Sequence, residues 1–246
     1  PQTLFKIHPD FDNVISKILK NDKNAKIYFI KGKEISFTKK TFERLKKKVG
    51  IDIDKIILSG TTPVDPNLFE NIVKKKNALI LDVRHQDNFA EEHIPNSIFI
   101  GIDGSFAPWV GTIVEDVTKP ILLVTPDDRV EETVTRLARV GFDNSLGYLK
   151  GGIKNWKMQG KLTTSVDQID SVVFKKLIQN EKLNVFDLRK SDEYSSGYIP
   201  NAQNIPLDFL NKKINSFRLN ETFYTHCAGG YRSMIAASIL KSNGIH

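Results

Sequence analysis

Two stretches of the chain repeat one another, and this repeat constrains the fold more than any other feature. Residues 79–102, LILDVRHQDNFAEEHIPNSIFIGI, align without a gap with residues 184–207, NVFDLRKSDEYSSGYIPNAQNIPL. An Asp-x-Arg motif and an Ile-Pro-Asn motif recur at matching positions. We therefore expect two copies of one domain, copy one at 61–163 and copy two at 164–246.

Each copy reads as an alternation of strands and helices. An apolar strand ends in Asp-x-Arg, a short polar helix and an Ile-Pro-Asn turn follow, and a further apolar strand leads through a Gly or Pro turn into a helix. This alternation predicts an α/β fold with parallel sheets flanked by helices. Because ligands of such sheets bind at the carboxyl ends of the strands, a site is expected in the loops that follow them.

Residues 1–60 follow a different pattern from the two copies. Helix and strand patterns alternate there as FDNVISKILKN, AKIYFI, TKKTFERLKKKVG and DKIILSG, which predicts a βαβ-type segment. The segment carries 14 Lys and Arg against 7 Asp and Glu, so the whole net charge of +7 lies in it. Its basic runs are rich in Lys and lack interleaved Arg and aromatic residues, which favours a solvated helix face over nucleic-acid binding.

The composition and the single cysteine indicate in which cellular compartment the protein is expected. No apolar run approaches the length of a membrane span, and no N-terminal stretch has the order of a signal peptide. One cysteine cannot form an internal disulfide. We expect a soluble, cytoplasmic protein that binds no membrane.

The only cysteine lies in the stretch THCAGGYRS, directly after the strand pattern ETFYTH. A thiol attacks as its thiolate, so a reactive cysteine needs positive potential nearby. Gly229 and Gly230 allow successive N–H groups to face one centre, Arg232 adds a cation, and a helix predicted to begin near Ser233 directs its positive end to the same place. These features predict an anion-binding loop around a nucleophilic Cys227; an inert, small core cysteine is the common alternative.

Copy one offers an internal comparison for this loop. In VTPDDRVEE, Pro126, Asp127 and Asp128 lie where the loop of copy two lies, and no thiol is present. Two acidic residues repel an anion. Although Arg129 aligns with Arg232, copy one is therefore expected to be inactive.

From about residue 64 onwards the chain resembles tandem rhodanese-like sulfurtransferase domains. The motifs that carry the resemblance are DVR and DLR, HIPN and YIPN, CAGGYRS, and GYLKGGIKNW. The stretch IGIDGSFAPWVG also resembles the first of two rhodanese domains that follow a metallo-β-lactamase-type persulfide dioxygenase in bacterial fusions, where the first copy typically lacks the cysteine. A persulfide dioxygenase domain or protein is accordingly an expected partner.

The resemblance implies an activity and a role for each residue of the loop. Cys227 would accept a sulfane sulfur from thiosulfate or a low-molecular-weight persulfide and pass it to a thiol or cyanide, without a cofactor, and Arg232 would stabilise the anion or the persulfide. Asp187 and Arg189 would organise the loop, with a purely structural strand-end ion pair as the alternative, and His226 would affect thiolate stability modestly. The residues expected to form the substrate-binding cradle of N–H groups are Ala228, Gly229, Gly230, Tyr231 and Ser233.

Two rival functions remain open at this point. A cysteine phosphatase also joins a His-Cys pair to Gly and Arg, but four residues separate Cys227 from Arg232 here, as in sulfurtransferases, whereas the phosphatase loop has five. The other rival is a non-catalytic interaction module. A folded protein with an inert thiol would favour it.

Two features depart from the patterns of the rhodanese fusions, and residues 1–58 show a resemblance of their own. The five histidines are scattered and form no metal signature, so dioxygenase activity and a metal are not expected. Copy two stops at His246, before any counterpart of GYLKGGIKNW, so a C-terminally truncated domain is expected. Residues 1–58 resemble part of a tetratricopeptide-linked glycosyltransferase, in which a lysine at the position of Lys6 contacts the nucleotide sugar; a fused remnant is the expectation, and a surface lysine the alternative.

Overall fold

Parallel pairing of short apolar strands organises the chain. The computed structural model describes residues 11–22, 27–29, 43–44, 47, 56–58, 61–218 and 221–245. Near the N-terminus, helix α1 (Phe11–Asn21) precedes two strands that pair in parallel, β1 (Ile27–Phe29) and β2 (Ile56–Leu58). The βαβ-type segment stays a prediction, because most of the expected helix TKKTFERLKKKVG lies outside the described residues, as does Lys6.

Copy one contains a five-stranded parallel sheet in the order β3-β7-β6-β4-β5. The inner strands β4 and β6 are apolar and almost wholly buried, because helices cover both faces of the sheet. The strands are β3 (Pro63–Val64), β4 (Leu79–Asp82), β5 (Ile98–Phe99), β6 (Ile121–Val124) and β7 (Ser145–Leu149). The helices are α2 (Pro66–Lys76), α3 (Gln86–Glu91), α4 (Phe106–Ile113), α5 (Val130–Ala138) and α6 (Gly152–Met158).

Copy two contains a three-stranded parallel sheet in the order β10-β8-β9, which repeats the order β6-β4-β5 of copy one. Counterparts of β3 and β7 are not found among the described residues of copy two. Its strands are β8 (Val185–Asp187), β9 (Gln203–Asn204) and β10 (Tyr224–His226). Its helices are α7 (Ser171–Asn180), α8 (Ser191–Ser195), α9 (Leu210–Lys213) and α10 (Tyr231–Ser242).

The α/β fold with parallel sheets flanked by helices is thus confirmed, and it contains two related units. The exact limits expected for the two copies, at residues 60/61 and 163/164, stay predictions. No helix in the described part of the chain has the length and apolar character needed to cross a bilayer.

The Ile-Pro-Asn turns take the same conformation in both copies. In each, the residue after the motif donates its N–H to the carbonyl of the isoleucine, and the asparagine has a positive φ, 64° at Asn96 and 67° at Asn201. Proline in the second position and a positive φ in the third are the features of a type II turn. The turns lead β5 and β9 onto β4 and β8 in the same register.

The two copies share one hydrophobic core. Buried side chains from both form a contiguous cluster that extends from Leu81 and Phe99 to Phe186 and Ile235. Strand β5 lies at the edge of the copy-one sheet, where its unpaired N–H groups would otherwise be exposed. Helix α10 of copy two covers this edge, and the N–H of Phe99 donates to the buried hydroxyl of Ser238 at 3.0 Å. The helix that follows Cys227 is therefore docked on copy one.

We expect the Ser238→Ala substitution to weaken this docking. Without the hydroxyl, the buried N–H of Phe99 loses its acceptor, and the free energy of unfolding should fall by ~1–3 kcal/mol. Ser242 is a matched control on the same helix, because its hydroxyl donates to the carbonyl of Ile239, as that of Ser238 does to Ile235. Urea unfolding should show Ser242→Ala within ~0.5 kcal/mol of the parent. Equal losses in both variants would contradict the assigned role of Ser238.

Candidate active site

The cysteine follows a strand and precedes a helix, as the sequence predicts. Strand β10 ends at His226, beside the end of β8, and Cys227 is the next residue. Helix α10 begins at Tyr231, two residues earlier than expected, with Gly230 as its N-cap. The φ of Gly230 is 82°, a conformation that glycine adopts without strain. Residues 227–230 therefore direct the sulfur towards the N-terminus of α10.

Hydrogen bonds around the sulfur stabilise the thiolate of Cys227. Burial acts to raise the pKa of this half-buried thiol, but hydrogen bonds from Ser233, through both its amide and its hydroxyl, and from the amides of Gly229 and Arg232 outweigh burial and lower the pKa below its ordinary value. In its thiol form Cys227 donates to the hydroxyl oxygen of Ser233 at 3.7 Å, and this hydroxyl donates to the carbonyl of Gly230 at 2.9 Å. The hydroxyl stabilises the thiolate by turning its proton towards the sulfur. Of the cradle residues that the sequence suggests, Gly229 and Ser233 thus bond the sulfur directly.

Arg232 lies between the sulfur and a carboxylate. Its guanidinium donates to the two carboxylate oxygens of Glu193 at 2.6 and 2.8 Å, and this bond, together with the nearby Cys227, raises the pKa of Arg232. The same bond lowers the pKa of Glu193 to about 2. Because Glu193 in turn accepts a hydrogen bond from the N–H of Lys190 at 3.1 Å, helix α8 orients the guanidinium.

Sequence reasoning missed Glu193, although the repeat contains a signal for it. The aligned position in copy one is Asn88, so the acid occurs in the copy with the cysteine and not in the other. A difference between two aligned copies at a polar position can mark a residue that serves the site rather than the fold.

The ion pair between Asp187 and Arg189 at the end of β8 has a counterpart in copy one. The side chain of Arg189 donates to the Asp187 carboxylate at distances down to 2.6 Å and to the carbonyl of Gly197 at 2.7 Å. Arg84 and Asp82 form the same bonds, and Arg84 also donates to a carbonyl at the end of the following helix. Because the pair also occurs in the copy without a cysteine, the structure favours its structural role, which is to hold the turn after the strand.

His226 contributes no positive charge next to the thiol at neutral pH. Burial lowers the pKa of its imidazole, and Arg189 lowers it further, while the carboxylate of Asp187 only partly offsets these effects. Its Nε2 lies 3.4 Å from Asp187 Oδ2, yet this buried nitrogen forms no hydrogen bond within the part of the chain that the structure describes. The lowered pKa of Cys227 therefore depends on the loop and on Arg232.

Copy one presents a different loop at the equivalent place. The strand register puts Thr125 where Cys227 lies in copy two. Arg129, just before α5, forms ion pairs with Glu132 at 2.7 Å and Asp103 at 3.0 Å. The loop of copy one thus offers no thiol, and its arginine is paired with two carboxylates.

Residues of copy one nevertheless form hydrogen bonds with the cysteine loop of copy two. The side-chain amide of Gln86 donates to the carbonyl of Gly229 at 3.1 Å, and the hydroxyl of Tyr231 donates to the carbonyl of Gly101 at 2.7 Å. The ring of Tyr231 also lies so close to Gly104 that a Cβ there would come within 2.4 Å of it. Tyr231, which the sequence suggests as a cradle residue, therefore directs its hydroxyl to copy one.

A cleft of about 600 Å³ opens over the sulfur between the two copies. One wall is the loop of copy two, with Cys227 and Arg232, and the other is helix α4 of copy one, with Pro108, Trp109 and Thr112. Nothing in the sequence indicates that helix α4 lines the site. Hydrophobic periodicity shows which face of a helix is buried, but it does not show which residues of another domain lie opposite that helix. Within the described ranges, no group of three or more His, Cys, Asp or Glu side chains is placed to hold a metal ion.

The fold and this site define a class of protein: parallel α/β units in which a cysteine occupies the loop between a strand end and a helix N-terminus. The family model of the rhodanese-like domain matches residues 65–159 and 171–246, which make up most of the chain. The chain belongs to the rhodanese-like domain family.

Similarity to individual proteins covers smaller parts of the chain. The "Putative sulfur carrier protein YrkF" of Bacillus subtilis (strain 168) is 35% identical over 82 residues, 33% of this chain and 44% of that protein, so the chain spans less than half of this relative. A solved rhodanese-like domain protein from Staphylococcus aureus is 41% identical, with a TM-score of 0.28, over 30% of this chain and 72% of that one.

A thiosulfate sulfurtransferase from Pseudomonas aeruginosa is 14% identical, with a TM-score of 0.37, over 94% of this chain and 56% of that one. Because these TM-scores are low, the family assignment rests on the family model. A persulfide dioxygenase partner and the glycosyltransferase resemblance of residues 1–58 stay predictions.

We expect Ser233→Ala to raise the pKa of Cys227, because the hydroxyl that helps to stabilise the thiolate is removed. A smaller thiolate fraction at pH 7 should slow alkylation by iodoacetamide about two- to tenfold, which corresponds to one hydrogen bond. The full pH profile of alkylation measures the shift directly, and its midpoint should move upwards. Ser195→Ala is the control, since its hydroxyl donates to the carbonyl of Ser191 within α8. An unmoved midpoint in Ser233→Ala would contradict the assigned hydrogen bond.

We expect Gly104→Ala to disturb Cys227 from across the domain boundary. The new methyl group would overlap the Tyr231 ring and displace the start of α10, so alkylation of Cys227 at pH 7 should slow about threefold or more. Gly111→Ala is a matched control on α4, because a Cβ there meets nothing within 4 Å. If both variants react at the parent rate, copy one does not position the loop.

Proposed function

We propose that copy two transfers sulfane sulfur through a persulfide on Cys227. One observation carries the proposal: the only thiol of the chain lies in the strand-to-helix loop of a rhodanese-like domain, with a pKa lowered by the amides of that loop. The thiolate is the form that attacks sulfur, and a lowered pKa increases its fraction. The sulfur-carrier name of the Bacillus subtilis relative also supports the proposal.

The proposed reaction consists of two balanced displacements. In the first, the Cys227 thiolate attacks the outer sulfur of the donor, a new S–S bond forms, and the old bond breaks with its electron pair leaving on sulfite or on the donor thiolate. In the second, an acceptor thiolate or cyanide attacks the outer sulfur of the Cys227 persulfide, and the Cys227 thiolate is released. The sulfur moves as a neutral atom in each step, so no external oxidant or reductant is needed.

The loop is suited to both states of the cysteine. After the first displacement the negative charge resides on the outer sulfur, one bond farther from the backbone than the original thiolate. The amides at the N-terminus of α10 and the guanidinium of Arg232 present several donors around the opening of the cleft. Such preorganised donors stabilise an anion without reorganisation during the reaction. Glu193 keeps the guanidinium in place and reduces its net charge, so the outer sulfur is held and can still leave.

Intact-mass analysis after incubation with thiosulfate, or with a small persulfide, tests the proposal. The parent should gain one sulfur atom, about 32 Da, and lose it again when cyanide or a thiol is added. Cys227→Ser should gain none. Circular dichroism of both proteins verifies that they are folded.

Two outcomes would overturn the proposal. A folded parent that forms no sulfur adduct with either donor would leave the non-catalytic interaction module as the better account. Cysteine-dependent hydrolysis of p-nitrophenyl phosphate, without a sulfur adduct, would favour the phosphatase.

A further inference from the structure

We infer that helix α4 of copy one selects the sulfur acceptor, which is an organic thiol with an apolar body that packs on Trp109. The inference rests on the proposed sulfur transfer and assigns a substrate class to the same cleft. It also gives the cysteine-free copy a part in the reaction, as one wall of the site.

The two faces of α4 have different environments. Phe106 and Val110 are fully buried in the shared core, with 1% and 0% of their surface exposed, and they anchor the helix. Pro108, Trp109 and Thr112 are directed instead towards the cleft, opposite Cys227. Trp109 is partly buried against the core, so its ring is a supported surface rather than a loose side chain. The cleft that contains the nucleophile is therefore lined on the side of copy one by the ring of Trp109, which packs against the core, and by Pro108.

The size of the cleft argues for a substrate larger than a simple anion. At about 600 Å³ it lies within the range of ~300–1,000 Å³ that is usual for sites of organic ligands. Cyanide or thiosulfate would occupy only the part beside Cys227 and would leave the rest to water. An organic thiol can fill the cleft, and covering the indole of Trp109 with apolar groups is favourable because it removes apolar surface from water.

The distribution of charge gives the substrate an orientation. The charged side chains that line the cleft are the cationic Lys190 and Arg232 and the anionic Asp208, and all three belong to the wall of copy two, whereas the residues that α4 contributes are uncharged. Two cations against one carboxylate leave the wall of copy two cationic on balance. An attacking thiolate is attracted to the cationic wall, and its carbon body extends towards Trp109. Shape and charge thus favour one pose, with the thiol sulfur facing Cys227.

Acceptors of different size, offered to the same persulfide, test the inference. The parent is first loaded with one sulfur, and its transfer to cyanide, 2-mercaptoethanol and benzyl mercaptan is then followed by mass. Trp109→Ala should lower the ratio of the benzyl mercaptan rate to the cyanide rate about tenfold, because only the larger acceptor uses the indole. Trp109→Phe should restore most of this ratio. Because both rates are measured on the same protein sample, the ratio of the benzyl mercaptan rate to the cyanide rate does not depend on the fraction of protein that is folded.

A second variant tests the cleft by filling it. Thr112→Trp adds bulk at an exposed position of α4, so it should slow transfer to benzyl mercaptan and leave transfer to cyanide within about twofold. Leu162→Ala is the control outside the cleft, since this copy-one side chain is 81% exposed and does not line the site.

Failure of the inference can be distinguished from failure of the proposed function. If the parent never takes up sulfur, the proposed transfer itself fails before any acceptor is compared. If it takes up sulfur, but neither Trp109→Ala nor Thr112→Trp changes the acceptor ratio by more than about twofold, then α4 does not select the acceptor.

Discussion

Docking of helix α10 on strand β5 is the interaction on which the rest of the site depends. Six residues of α10 are buried, including Met234, Ile235 and Leu240, so this helix packs on nearly all sides, as a helix in the interior of a protein does. Its body covers the edge of the copy-one sheet, and its N-terminus supplies amides to Cys227. A shift of the interface would therefore move the amides relative to the sulfur.

Comparison of the two copies separates residues that serve the fold from residues that serve the chemistry. Both copies contain the Asp-x-Arg ion pair and the type II turn, with closely similar distances and dihedral angles. They differ at Cys227, at Glu193 and in the partners of the loop arginine. Since the shared features suffice to build the same strand order twice, the differences carry the activity that we propose.

The strands, the turn and the cysteine loop could be predicted from the sequence because each is encoded locally, whereas the order of the strands in each sheet was not predicted. Apolar runs define the strands, Pro followed by Asn defines the turn, and Gly-Gly before a helical pattern defines the loop. Contacts such as Gln86 with Gly229, or Tyr231 with Gly101, join residues far apart in sequence. These contacts form only when the folded copy one packs against the folded copy two. The hydrophobic periodicity of either sequence does not show how the two copies pack.

The electrostatics of Cys227 explain why this packing matters for the thiol. Burial opposes ionisation, His226 is neutral, and the charge of Arg232 is shared with Glu193, so much of the stabilisation must come from backbone dipoles. A dipole acts only over a short range and only when it points at the charge. The reactivity of Cys227 is thus set by the alignment of a few amides, and that alignment is held in part by Gln86 and Gly101 of the copy that lacks a cysteine.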